Sequence, residues 1–178
     1  HYAVEAAAEA GIKEIGIVIN ADSDEVQVAM GDGSRWGVHI TYIPQLTPGG
    51  LAQVVALAEG FIGKDRFIFY LGDNMVVGGV KRFIDDFEKS NSNCFLTLAK
   101  VQDPERFGVP EIKDGRIVAV EAKPSKPKSS YAVAGIYLSA HHIFETVKAT
   151  TPSPRRELEI SDAHQHLIRK GFRAAHDA

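Results

Sequence analysis

Apolar positions along the chain switch repeatedly between a helical and a strand period. Ala3 to Ala10 is an Ala-rich helical stretch stopped by Gly11, a residue type that tolerates the left-handed turn after a helix. Ile15-Gly16-Ile17-Val18-Ile19 follows, a short β-branched run of the kind that forms a strand covered on both faces. Asp22 or Ser23 is predicted to cap a second helix running to about Met30, after which Gly31-Asp32-Gly33-Ser34-Arg35-Trp36-Gly37 reads as loop. His39 to Ile43 alternates like a strand, and Leu51 to Phe61 carries Leu51, Val54, Val55, Leu57 and Ala58 along one helical stripe. Phe67 to Leu71 is a third strand ending at Gly72-Asp73-Asn74, Val80 to Lys89 a helix with Phe83, Ile84 and Phe87 inward, and Cys94 to Val101 a fourth strand.

Strands alternating with helices predict parallel pairing and right-handed crossovers. The order changes after Val101. Asp114-Gly115 between Val109–Ile112 and Ile117–Val120 is a hairpin signal, and Tyr131 to Leu138 adds a further strand. Helices are predicted at His141 to Val147 and, closed by Gly171, at Ser161 to Lys170. The expected fold is a Rossmann-like three-layer α/β/α sandwich with a mixed, mostly parallel sheet and a small antiparallel insertion. It forms one domain over residues 1–178, without internal repeat or linker.

Composition narrows the function classes. The 178 residues match the roughly 100–200 of one domain. With 44% hydrophobic and 24% charged residues the chain reads as an ordinary globular protein. Lys and Arg number 20 against 23 Asp and Glu, a formal charge of −3, so no global positive field invites nucleic acid or an anionic membrane. Any anion site must therefore be local. No apolar run approaches the roughly 20 residues of a membrane span. The single Cys94 rules out an internal disulfide and suits a reducing, cytoplasmic setting. His164 and His166 stand two apart on a predicted helix, pointing about 200° apart, and do not share a metal ion. The chain opens on His1 and runs straight into a helix, which predicts that it is a piece of something longer.

Several features carry chemistry, each beside a plainer reading. The glycines from Gly31 to Gly37 have the wrong spacing for a dinucleotide fingerprint and follow a helix instead of a strand. Asp73 stands at the carboxyl end of a buried strand, the edge where α/β sheets bind ligands, and a carboxylate there can hold Mg²⁺ against phosphate oxygens. An Asx turn would need no ligand. Gln45 followed by Thr47-Pro48-Gly49-Gly50 offers an amide and close backbone approach to a planar base, or simply a strand-to-helix turn. Lys123, fixed by Pro124 in a loop with Lys126 and Lys128, offers a point charge to phosphate, or a solvated loop. Taken singly, the plainer readings are favoured.

Their order is more specific. The succession Gly31-Asp32-Gly33-Ser34, Gln45, Pro48-Gly49-Gly50-Leu51-Ala52-Gln53, Leu71-Gly72-Asp73-Asn74, Asp103 to Val109, Pro127 to Tyr137 and Pro152 to Asp162 resembles the sugar-phosphate nucleotidyltransferases. The likeness runs from about Tyr2 to Gly171 and is greatest to the branch that uses dTTP and glucose 1-phosphate. The resemblance implies joining a nucleoside triphosphate to a sugar 1-phosphate with release of pyrophosphate, Mg²⁺ being the cofactor. It implies Asp73 and Lys123 as catalytic residues, with Asp73 a Mg²⁺ ligand, and Gln45 and Gly50 at the base. Gly108, Glu121, Lys123, Gly135 and Arg155 are implied on the sugar-phosphate side.

The same comparison sets the chain apart from the family in places. The family's opening strand with its Gly-x-Gly-Thr-Arg loop, and its later Trp-x-Asp-x-Gly segment, have no counterpart in these residues, so a domain incomplete at both ends is expected. The opening strand lies centrally in such sheets, so its absence predicts unpaired strand edges and an exposed apolar slot. Ala122 stands where the family has a Glu, Ser130 replaces Asn, Ala134 replaces Thr and Arg156 replaces Gly. A relative that binds nucleotide or sugar phosphate without turnover, and an assembly module using the sheet edge, stay open as alternatives, as does a homo-oligomer.

Overall fold

In the computed structural model, which describes residues 1–177, helix α1 (Tyr2–Glu9) leads into strand β1 (Glu14–Asn20). Helix α2 (Glu25–Met30) and a 3₁₀ turn at Ser34–Trp36 then connect it to β2 (His39–Gln45). β1 and β2 pair in parallel, from Glu14 opposite His39 to Asn20 opposite Gln45. The cap of α2 differs from expectation. Asp24 is the N-cap residue and makes no side-chain cap, while the Ser23 hydroxyl accepts from the Glu25 N–H at 3.4 Å. The single helix expected over 51–61 is broken at Ala58 into α3 (Leu51–Leu57) and α4 (Glu59–Ile62).

The second sheet has the order β3 (Phe67–Tyr70), β7 (Tyr131–Ser139), β4 (Cys94–Lys100), β8 (Ala174–Asp177). Here the alternation of strands and helices misleads. β7 does not extend the antiparallel insertion but enters the main sheet between β3 and β4, antiparallel to both. The reason lies in burial: seven of its nine residues are buried, so it needs strands on both sides and helices on both faces. The insertion is only the hairpin β5 (Gly108–Lys113) and β6 (Arg116–Ala122). Its turn residues Asp114 and Gly115 have φ of 51° and 71°, as a tight two-residue hairpin turn requires. β8, unforeseen because it is short and carries His176 and Asp177, adds to β4 in parallel.

Alternation along β4 and β7 feeds two apolar layers. Phe95, Ile136 and Leu138 face helix α5 (Lys81–Ser90) and pack with Val80, Phe83 and Phe87. Leu96, Leu98, Val133 and Tyr137 face the other way, against α3, α6 (Ile143–Lys148) and α7 (Ile160–Arg169). Helices on both sides of a mixed sheet make the expected three layers. Helix α7 also grips the hairpin: the Gln165 Oε1 accepts from the Val120 N–H at 2.8 Å. Cys94 is fully buried, and burial pushes its thiol up to about 12, which suits a core residue and not a nucleophile.

β1 and β3 are not hydrogen-bonded to each other, and each has one edge without a strand partner among the described residues. All four residues of β3 are only half-buried, whereas β4 begins with five buried residues in a row. The two sheets are joined through side chains: Gly16 of β1 lies against Phe61, α1 packs on α5, and the Tyr2 hydroxyl donates to the Val76 carbonyl. No helix is long and apolar enough to cross a membrane among the described residues.

A buried histidine gives the fold a pH signature. His164 on α7 is 1% exposed and stacks on Tyr137, which stacks on Phe69 of β3. Its Nε2 has no partner, and burial pushes its pKa down to about 4, partly opposed by a backbone hydrogen bond with Ile160. The folded state therefore holds this ring neutral while the unfolded chain protonates it near pH 6.5. Below pH 6.5 the unfolded state binds the extra proton, so stability falls until about pH 4 and is flat above 6.5 as far as this residue contributes. The shift corresponds to roughly 3 kcal/mol over that window. Urea titrations from pH 4 to 7.5 should show this slope in wild type and lose it in His164→Phe. Parallel profiles would contradict the account.

Candidate active site

The end of β2 carries Gln45, whose backbone carbonyl accepts from the Ala21 N–H at 3.1 Å. Its side-chain Nε2 donates to Gln53 Oε1 at 2.7 Å across the loop that leads into α3. That loop is clamped from outside. Leu158 N–H donates to the Gly49 carbonyl at 2.8 Å, and Ala52 N–H to the Leu158 carbonyl at 3.0 Å. Between these two bonds Gly50 adopts φ 96° and ψ 170°, where a Cβ would stand 2.6 Å from the Leu158 carbonyl oxygen and 2.7 Å from its nitrogen. Only glycine fits the conformation and the approach.

Asp73 stands just beyond β3. Leu71 N–H donates to the Gly135 carbonyl at 2.9 Å, which carries the β3–β7 pairing one residue further, and Asn74 N–H closes a turn onto the Leu71 carbonyl at 3.0 Å. The Asn74 Nδ2 donates to Asp73 Oδ1 at 2.9 Å. Oδ2 of this exposed carboxylate accepts no hydrogen bond among the described residues. Gly135 is buried directly beneath Asn74: a Cβ there would lie 2.3 Å from Nδ2. Mg²⁺ takes oxygen ligands and is commonly held by one or two carboxylates together with waters and substrate phosphates. One open carboxylate oxygen at a strand end fits that requirement. Among the described residues no three His, Cys, Asp or Glu side chains converge as a complete cage.

The hairpin presents the remaining residues. Gly108 pairs with Ala122, and the next residue, Lys123, turns away from the strand at φ 45° with its N–H donating to the Phe107 carbonyl at 2.8 Å. Pro124 is buried, so the backbone below the Lys123 side chain is fixed, while the side chain itself is exposed. Among the described residues Lys123 makes no ion pair, which leaves its ammonium group available. Glu121 and Arg155 have protein partners or neighbours of their own. Strand alternation turns Glu121 to the face opposite Ala122, where it lines a cavity of about 20 Å³ with Glu111 and Lys128. Arg155 is held by Glu159 at 2.6 Å and Glu157 at 3.2 Å, and the hydrogen bond that its Nη2 donates to Glu159 raises its pKa. Both contacts use Nη2, so the other guanidinium N–H groups stay open to a phosphate among the described residues.

The segment leading into α7 ties these parts together. Leu158 holds the Gly49–Ala52 loop, and three residues later Ser161 Oγ lies 2.7 Å from where a Gly108 Cβ would be. Gly108 in turn stands beside Val133, two residues along β7 from Gly135 and Asn74. One run of contacts thus connects Gly50, Gly108, Gly135 and Asp73. Leu158, Ser161, Asn74 and Gln53 all belong to it and were not singled out from sequence. Their only sequence signal is membership of the same short motifs, because the contacts join segments far apart in the chain.

The family described as Nucleotidyl transferase matches residues 1–177. The chain belongs to that family. A glucose-1-phosphate thymidylyltransferase of Streptomyces griseus is 47% identical over 171 residues, covering 96% of this chain and 48% of the relative. One of Streptomyces antibioticus is 44% identical over 172 residues with the same coverage, 96% and 48%. The chain therefore spans about half the length of these curated relatives. Among solved structures, a Bacillus anthracis protein named as a glucose-1-phosphate thymidylyltransferase, in complex with sucrose, superposes with a TM-score of 0.89 at 36% identity. That superposition covers 99% of this chain and 72% of the other. A UDP-glucose pyrophosphorylase complexed with UDP-glucose matches with a TM-score of 0.77 at 22% identity over 98% of this chain and 76% of its own, a likeness of fold alone. These nucleotidyltransferase neighbours share the Rossmann-like α/β fold.

Proposed function

We propose that the protein carrying this chain transfers a nucleotidyl group from dTTP to glucose 1-phosphate, releasing pyrophosphate and forming a nucleotide sugar. The observation that carries the reading is the contact run from Gly50 to Asp73, which ties the Gln45 amide, the Lys123 ammonium and an open carboxylate oxygen to one framework. The names and identities of the Streptomyces relatives support the choice of base and sugar.

In this reading the Gln45 amide and the backbone at Gly50 receive the base. Gly108 and Gly135 stand on the sugar side, where the Ser161 hydroxyl and the Asn74 amide pack on them, and Lys123 holds the sugar phosphate as a fixed point charge. Arg155 supports that phosphate with the guanidinium N–H groups that Glu159 leaves open, and the exposed Glu121 stands on the sugar side. Asp73 would hold Mg²⁺, which supplies positive charge to the triphosphate oxygens when bound. A phosphate oxygen of the sugar 1-phosphate then attacks the α-phosphorus in line. One P–O bond forms, the bridge to the β-phosphorus breaks, and the electron pair leaves on pyrophosphate. The residues of this chain act by holding two anions together at the reacting distance.

A substrate panel tests the proposal. The full-length protein with Mg²⁺ is offered dTTP, UTP, dCTP or GTP with glucose, mannose or N-acetylglucosamine 1-phosphate, and products are identified by mass. The largest yield is expected from dTTP with glucose 1-phosphate. A clear preference for a purine nucleotide, or for another sugar, would refute the assignment.

A further inference from the structure

We infer that Glu111 is a positioning residue for the sugar phosphate: by gripping Lys128 it holds down the loop that carries Lys123, so that the Lys123 ammonium is presented ready for an anion. This role rests on the reading of Lys123 as the group that meets the sugar phosphate. The loop runs from Lys123 to Ser130 between β6 and β7. Its first residue is tied by the Lys123 N–H to the Phe107 carbonyl, and its last by the Ser130 carbonyl, which accepts from the Val101 N–H at 3.0 Å. Between these ends residues 124–127 make no hydrogen bond among the described residues. Such a segment has to be held by packing and by side chains at its margins, or ordering it on binding weakens the affinity for the ligand.

The hairpin supplies the hold. One of its faces packs on α7, with Ile117 and Val120 in the core beside Ile160 and Leu167. The loop folds over the other face, where Pro124 and Lys128 line the small cavity together with Val109, Glu111, Ala119 and Glu121. Glu111 stands at the step where β5 and β6 shift register, and its side chain is only 22% exposed. Lys128 Nζ donates to its Oε2 at 2.6 Å and Lys113 Nζ lies 2.9 Å from its Oε1, so each carboxylate oxygen has a lysine of its own. The hydrogen bonds from Lys128 and Lys113 hold the Glu111 carboxyl down at about 2, which keeps it ionised throughout the neutral range. Lys113 belongs to the hairpin itself, whereas Lys128 belongs to the loop. Among the described residues the Glu111–Lys128 pair is the one hydrogen-bonded side-chain bridge from residues 124–128 to the rest of the fold. Its cavity is shared with Pro124, so the grip acts one residue away from Lys123.

The test measures KM for glucose 1-phosphate, KM for dTTP, kcat and melting temperature in the full-length protein with Mg²⁺. Glu111→Met and Lys128→Met should each raise KM for glucose 1-phosphate about fivefold, the upper end for one partly covered ion pair. KM for dTTP and the melting temperature should stay near those of wild type. The double variant should be no worse than either single one, because the two substitutions remove the same interaction. Lys113→Met is the control: it strips the other carboxylate oxygen without touching the loop, and KM for glucose 1-phosphate should change less than about twofold. Unchanged KM in both single variants would overturn the proposal. So would KM values for both substrates that rise together as the melting temperature falls, the mark of a merely structural pair. Lys123→Met should raise KM for glucose 1-phosphate about tenfold or more, the worth of a hydrogen bond from a charged group. No change in that variant would refute the reading of Lys123 itself, and the role of Glu111 with it.

Discussion

Replacing Asp73 by Asn in the full-length protein is expected to lower Mg²⁺-dependent pyrophosphate release by about two to three orders of magnitude, with little change in melting temperature. The local structure makes this substitution clean. Asn74 donates to Oδ1 of Asp73, and an Asn side chain retains a carbonyl oxygen able to accept that bond. The turn closed by Asn74 N–H onto the Leu71 carbonyl is untouched. What disappears is a full negative charge and the open oxygen, the two properties a hard divalent cation needs. A carboxylate that holds such a cation against the transferring phosphates is worth several kcal/mol in the transition state, and each 1.4 kcal/mol is about tenfold in rate. Activity within about threefold of wild type would show that Asp73 is an Asx-turn residue and nothing more.

Gly50→Ala should be the most damaging small substitution in the chain. It adds one methyl group 2.6 Å from a backbone oxygen and 2.7 Å from a backbone nitrogen, neither of which can rotate away, and it forces φ 96° on a residue with a side chain. Backbone strain and overpacking together predict a loss of about 3 kcal/mol, which for a chain of this size lowers the melting temperature by about 10 °C. Because Leu158 and Ser161 are tied to Gly50 and Gly108, the damage should reach the sugar side as well as the base side. Gly60→Ala is the control. Gly60 sits in α4 with nothing near its notional Cβ and no positive φ, so alanine there should be neutral or slightly stabilising. Equal melting temperatures for the two variants would contradict the clamp.

The apolar periods foretold nearly every strand and helix, because a strand such as Cys94–Lys100 buried on both faces and a helix such as Lys81–Ser90 with one aromatic stripe carry their own signatures. Neighbour relations were less legible. The insertion of β7 between β3 and β4 follows from the burial of Ile136, Tyr137 and Leu138 on opposite faces, and periodicity within a strand does not say which strand lies beside it. β8 escaped because four residues with two polar side chains look like a tail until Cys94–Thr97 supplies the ladder.

The candidate site divides in the same way. Asp73, Gln45 and Lys123 are visible as residue types at strand ends, a position that the backbone pattern predicts. The need for glycine at 50, 108 and 135 has a physical cause that only folding reveals: each receives a group from a distant segment, namely Leu158, Ser161 and Asn74. The ion pairs that hold Arg155 and the strand alternation that sets the face of Glu121 are likewise products of three-dimensional context.

In the proposed reaction one framework brings a nucleoside triphosphate and a sugar 1-phosphate together for direct transfer. The most direct measurement is pyrophosphate release by the full-length protein with Mg²⁺ and dTTP, with and without glucose 1-phosphate. Release is expected only when both substrates are present, with dTDP-glucose formed in equal amount. Release from dTTP alone at the same rate, or binding of both substrates without any release, would contradict it.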